Sequence, residues 1–398
     1  MAMSLDLPLP RNDGSIARYA LSGRSAWAAP AQPVFDRVAY SAAHVVADPL
    51  AAVSPWLEAA IDWDATIAFR RRLWAMGLGV AEAMDTAQRG MGLDWPTSLE
   101  LIRRSLDAAR DVPGALVASG CGTDQLAAGA TRTIDDVIRA YEEQMAAIER
   151  LGGRLIVMAS RALVQVARGP ADYEQVYDRV LRQAREPVIL HWLGDMFDPA
   201  LAGYWGSGND IDAAMETALG VIGANAAKVD GIKISLLDKE REIAMRRRLP
   251  PGVRMYTGDD FNYAELIAGD GVGAAPNRQH SDALLGIFDA IAPAASAALA
   301  ELAAGNAARF HEILAPTVPL SRHIFQAPTR YYKTGVVFMA WINGHQSHYT
   351  MVGGQQSARS LVHLAELFRL ADAAGLIEQP ELAARRMRHL LALHGVER

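Results

Sequence analysis

From about residue 77, short apolar runs alternate with longer amphipathic ones, each pair taking roughly 30 to 40 residues. That is the pattern of successive βα units. The candidate strands are Val38–Val46, Gly77–Glu82, Gly114–Ser119, Arg154–Ala159, Pro187–His191, Gly231–Ser235, Val253–Thr257 and Gly271–Ala274. Helical patterns lie between them at Thr97–Arg110, Thr133–Leu151, Tyr173–Glu186, Asp210–Gly223 and Tyr263–Ala268, with Thr or Asp at several starts where an N-cap is wanted. Eight strands with intervening helices predict an α/β fold, a closed TIM (β/α)8 barrel, in preference to an open sheet.

Such a barrel takes about 250 residues, and the chain has 398. The surplus falls at the two ends. Residues 1–33, with Pro8, Pro10 and Pro30, read as an extended N-terminal arm, and residues 34–292 as the barrel. Residues 293–398 read as a helical region packed on the barrel. Ala/Leu-rich helical periodicity is clearest over Asp282–Gly305, Ala307–Leu314, Ser357–Ala374 and Pro380–His394.

A formal charge of −6 offers no basic surface for nucleic acid or anionic lipid, so a small molecule is the expected partner. Cys121 is the sole cysteine, which excludes an intramolecular disulfide and a Cys-based zinc cluster. Neither an apolar leader nor a run of 18 apolar residues is present, so a cytoplasmic protein with no membrane partner is expected. The 39 basic residues include only four lysines, Lys228, Lys233, Lys239 and Lys333. A chain that uses arginine wherever a cation suffices draws attention to each lysine, because guanidinium stays protonated and cannot act as a nucleophile.

Lys233 lies in Gly231-Ile-Lys-Ile-Ser235. Side-chain alternation puts Ile232 and Ile234 on one face and Lys233 and Ser235 on the other. In a barrel the isoleucines meet the helices and Lys233 the interior. Desolvation there lowers an amine pKa toward a neutral, nucleophilic form. The competing reading is a lysine that reaches solvent at a strand end or pairs with Asp230 or Asp238.

Gly231-Ile-Lys-Ile-Ser235 resembles the lysine strand of the dihydrodipicolinate synthase and N-acetylneuraminate lyase superfamily. Four further segments resemble that superfamily in the same order: Val112–Gly122 its third strand and Gly-x-Gly turn, Pro187–His191 its fifth strand, Tyr256–Asp260 its Ser-Gly-Asp-Asp segment, and Gly269–Gly273 the glycine turn that follows. The resemblance spans roughly residues 75–300. It implies a class I aldolase or lyase, with Lys233 forming an imine with a 2-oxo acid or sugar-derived carbonyl compound, no cofactor, no metal and a homo-oligomer. It further implies that Ser119, Thr123, Gly258, Asp259, Asp260 and Glu82 shape the substrate site.

The chain departs from the family pattern at three places. His191 stands where the family has a proton-relaying tyrosine; an imidazole can accept a hydroxyl proton near neutrality. Gly77–Glu82 lacks the hydroxyls of the family's carboxylate-binding turn, and Ala159-Ser-Arg-Ala162 replaces a Tyr-Tyr pair. Both losses put recognition of a 2-oxo acid carboxylate in question. Arg161 and the Asp85–Gly90 segment are further candidates at the rim, and His345 with His348 has a spacing compatible with metal ligation. Two other functions stay open: a metal-dependent barrel lyase or isomerase using His191, Asp195, Glu82 or His280, and a barrel that binds a ligand without turnover.

Overall fold

The computed structural model describes residues 5–23, 27–126, 129, 133–206, 208–271 and 279–396. The described chain groups into two compact units. The first comprises residues 1–36, 44–77 and 287–398, and the second residues 37–43 and 78–286.

The first unit opens with an antiparallel hairpin, β1 (Asp6–Pro10) and β2 (Ile16–Ala20), in the segment expected to be an extended arm. Leu7 and Leu9 are buried, so alternate side chains of β1 give the hairpin an apolar face. The later helix Leu361–Ala373 carries Asp372, whose carboxylate accepts from Tyr19 Oη at 2.7 Å and Ser22 Oγ at 2.7 Å. Helices Ala307–Leu314 and Pro380–Leu393 fall where the periodicity predicts them. Two more, Thr317–Ile324 and Tyr332–Ile342, lie in a stretch left unassigned from sequence. Tyr332–Ile342 is buried on all sides, so no amphipathic period marks it.

The second unit is the predicted barrel. Eight parallel strands close in the order β10-β3-β4-β5-β6-β7-β8-β9, namely β3 (Ala39–Ala42), β4 (Gly79–Glu82), β5 (Val117–Cys121), β6 (Arg154–Val157), β7 (Val188–Leu193), β8 (Val229–Ser235), β9 (Arg254–Thr257) and β10 (Asp282–Leu285). The expected last strand, Gly271–Ala274, falls largely outside the described residues. The barrel is closed instead by Asp282–Leu285, which had read as the start of a helix over Asp282–Gly305. An aspartate followed by three apolar residues with no alternation does not distinguish a fully buried strand from a helical turn. Two caps follow the sequence signals, Asp210 accepting from Ala213 N at 3.0 Å and Thr133 forming a capping box with Asp136, whereas the helix expected from Thr97 begins at Trp95, with Asp94 accepting from Thr97 N at 3.0 Å.

The barrel is filled by one face of its strands. Tyr40, Ala42, Ala81, Met84, Ala118, Ile156, Ile189, Tyr256 and Leu284 form one buried cluster, to which β8 contributes no side chain. Gly231 stands at that point of β8. A Cβ there would lie 2.7 Å from Tyr256 Cε2, so the glycine makes room for the tyrosine ring. At the same end Tyr256 Oη donates to Asp230 at 2.7 Å and Arg254 pairs with Asp282 at 2.8 Å. This end of the barrel is thus plugged, and the open end is the one to which the strands' C-termini point. Ile156→Ala removes a fully buried side chain from the plug and is expected to cost about 2–5 kcal/mol. A lowered urea midpoint at unchanged denaturant slope is the signature to look for.

Candidate active site

Since Tyr256 and Ile189 face inward, alternation sends Lys233 of β8 and His191 of β7 to the same interior. His191 and Lys233 are direct register partners on the paired strands. Lys233 is 6% exposed and His191 1%. Ser235, two residues beyond Lys233, places its Oγ 3.4 Å from His191 Nε2. Sequence reading did not single out Ser235, although its shared face with Lys233 was visible in the alternation.

Gly258, just after β9, explains how the lysine fits. A Cβ there would lie 2.3 Å from Ser235 Oγ, 2.5 Å from the Ile234 carbonyl oxygen and 2.8 Å from Lys233 Cε. The expected role of Gly258 near the lysine is therefore one of space, with the aliphatic stem of Lys233 resting against its backbone.

Burial pulls the Lys233 ammonium below its ordinary range, while the carboxylates of Asp85 and Asp260 act in the opposite sense. Burial also holds His191 well below the usual imidazole value, and the neighbouring Lys233 charge adds to that. His191 is thus a neutral imidazole at neutral pH, and its Nδ1 makes no hydrogen bond among the described residues.

His191 borders a cavity of about 460 Å³, whose wall it shares with Thr123, Asp85, Arg89, Arg161 and Leu193; Lys233 lies behind that wall. Thr123 Oγ1 lies 2.7 Å from Ser160 Oγ. Arg89 is buried and fully engaged: it grips Asp124 with two nitrogens at 3.0 and 2.6 Å, and reaches the Gly120 carbonyl and Gln144. Arg161 pairs with Asp198 across the rim. Four described non-glycine residues take left-handed φ in the loops at this end: Ala83 at 53° and Gln88 at 63° after β4, Trp205 at 73° after β7, and Leu237 at 54° beyond β8. Such strain is concentrated at functional sites.

Not every expected residue reaches the cavity. Ser119 follows the inward Ala118 and so faces the helices, with Gly120 taking the interior position. Glu82 follows the inward Ala81, and its carboxylate meets Ser105 Oγ on helix Trp95–Ala109 and the Ala83 amide. Both are one residue out of step with the interior face. Asp259 is committed to its own turn, accepting from the Phe261 and Asn262 amides at 2.8 and 3.0 Å. Asp260 is buried and acts on Lys233 through its charge. In the first unit His345 binds Glu378 at 3.0 Å while His348 Nδ1 accepts from the Thr350 amide, beyond the end of helix Tyr332–Ile342. Among the described residues no three or more His, Cys, Asp or Glu side chains are placed to hold one ion, and Asp195 is exposed.

The family profile described as "Protein of unknown function (DUF993)" matches residues 7–396. The chain belongs to that family. No curated protein matches it. Among solved structures it is similar to a prophage protein of the dihydrodipicolinic acid synthase family from E. coli K12, determined with pyruvate. That match has a TM-score of 0.65 at 12% identity and covers 86% of this chain and 100% of the other. The dihydrodipicolinate synthase of Aquifex aeolicus gives 0.62 at 11% identity, covering 86% and 99%. A monomeric dihydrodipicolinate synthase variant gives 0.61 at 14%, covering 85% and 97%. At these identities the likeness is one of fold, a divergent form of the dihydrodipicolinate synthase barrel. Among the described residues no helix is long and apolar enough to cross a membrane.

Gly258→Ala forces Ser235, Ile234 and Lys233 apart and is expected to lose about 1–3 kcal/mol of stability, checked by chemical denaturation. His191, with its folded pKa depressed, stays neutral while the unfolded chain's imidazole protonates as pH falls below about 6.5. The unfolded state then binds more protons, and stability falls with pH below that point. His191→Leu should remove this component, so the drop in Tm between pH 7 and pH 5 becomes shallower than in the wild type.

Proposed function

We propose that the chain is a class I lyase that cleaves or forms a carbon–carbon bond through an imine at Lys233. The observation that carries this reading is the buried amine of Lys233 beside a neutral imidazole, His191, which itself lines a cavity at the open end of the barrel. Burial favours the neutral amine that attacks a carbonyl. The prophage relative determined with pyruvate shares the fold and lends support from outside the chain.

In the cleavage direction Lys233 Nζ adds to the substrate carbonyl carbon and water leaves, giving an iminium. With a hydroxyl on the β-carbon, the Cα–Cβ bonding pair moves toward the iminium nitrogen and an enamine forms. The hydroxyl proton passes to His191, and the β-carbon departs as a second carbonyl compound. Cα then takes up a proton, water hydrolyses the iminium, and Nζ is regenerated. Atoms and electrons balance without an oxidant or a cofactor. Ser235, within reach of His191 Nε2, orients the ring. Thr123 and the turn at Gly258–Asp260 shape the approach to Lys233.

The test is reductive trapping. Incubation with carbonyl compounds and cyanoborohydride should add the reduced mass of one substrate to the peptide bearing Lys233, and to no other lysine at a comparable rate. Lys233→Arg should abolish both the adduct and turnover, since guanidinium cannot form the imine. Turnover retained in Lys233→Arg would end this reading.

A further inference from the structure

We infer that the cavity bordered by His191, the register partner of Lys233, takes an uncharged, hydroxyl-bearing carbonyl compound in preference to a 2-oxo acid, with Asp85 as the residue that excludes a substrate carboxylate and accepts a substrate hydroxyl. This rests on the lysine-imine reading and narrows it to a substrate class.

The charged groups of the wall can be accounted for one by one. Arg89 spends its guanidinium on Asp124, the Gly120 carbonyl and Gln144. Arg161 is paired with Asp198. Asp94 caps helix Trp95–Ala109 through the Thr97 amide. Asp85 remains: half-buried in the wall, its carboxylate has no hydrogen bond or ion pair among the described residues. The uncommitted charge beside the reacting amine is therefore negative.

A 2-oxo acid carries its carboxylate on the carbon that bonds to Nζ. That anion arrives next to the existing carboxylate, and the two described wall arginines that could receive it are already engaged. At about 5 Å and an effective dielectric of about 20, the repulsion disfavours binding on the order of 100-fold. A hydroxyl at the same place donates a charge-assisted hydrogen bond to Asp85. Asp85 also stands where it can offset the positive charge of the iminium, an interaction that does not require a substrate carboxylate. The other hydrogen-bonding groups facing the space suit a polyol: the Thr123 hydroxyl, held at 2.7 Å by the buried Ser160 hydroxyl behind it, and the Gln165 amide.

The experiment measures Lys233 adduct formation with cyanoborohydride by peptide mass, comparing dihydroxyacetone and D-erythrulose with pyruvate and 2-oxobutyrate at equal concentration. The wild type should label at least about tenfold faster with the uncharged pair. In Asp85→Asn the ratio should shift toward pyruvate by roughly 10- to 100-fold. Wild-type labelling by pyruvate as fast as by dihydroxyacetone overturns the inference while leaving the imine intact, and this comparison stands even if the variant does not fold. An unchanged ratio in a folded Asp85→Asn overturns the role of Asp85. Labelling by no carbonyl compound at Lys233 overturns the imine reading itself.

Discussion

A strand inside a closed barrel has two faces, and hydrogen bonding to both neighbours decides which residues go to which. On β8 that constraint leaves no latitude. Ile232 and Ile234 must cover the helices, so Gly231, Lys233 and Ser235 face the interior. Shifting the register by one residue would bury the isoleucines among the interior side chains and place the lysine under a helix. The site depends on this pairing: His191 is inward because Ile189 is, and it meets Lys233 because the two are register partners.

The same rule separates what could be read in the sequence from what could not. Lys233, His191 and Gly258 lie on well-marked strands or directly after one, where apolar neighbours fix the phase, and they converge in three dimensions. Ser119 and Glu82 lie on strands of small residues, Val117–Cys121 and Gly79–Glu82, in which both faces are buried and nothing in the residue types reveals the inward one. Family resemblance located the segments, but the phase within them is a property of packing. Asp282–Leu285 was lost for a related reason: a short buried strand leading into a helix carries no boundary that periodicity can detect.

The scarcity of lysine is an argument from chemistry rather than from spacing. Arg89 shows what this chain uses arginine for: a planar donor set that satisfies a carboxylate, a carbonyl and an amide together. A lysine could not supply that geometry, and an arginine could not supply the amine that the proposed imine requires at position 233. The pairings Arg89–Asp124 and Arg161–Asp198 join residues 35 and 37 positions apart, beyond the reach of any local pattern.

The Arg89 cluster has a consequence for how the cavity's shape can change over evolutionary time. It ties the loop after β4 to the loop after β5, with Gln144 of helix Ile134–Arg150 accepting from the Gly122 amide as well as from Arg89. One side of the cavity therefore exists before any ligand arrives, and binding there carries no entropic toll for ordering a loop. Such a wall acts as a mould. Its shape cannot drift by single substitutions without leaving a buried ion unmatched, whereas the solvent-facing Arg161–Asp198 contact beside it can be exchanged with little loss of fold stability.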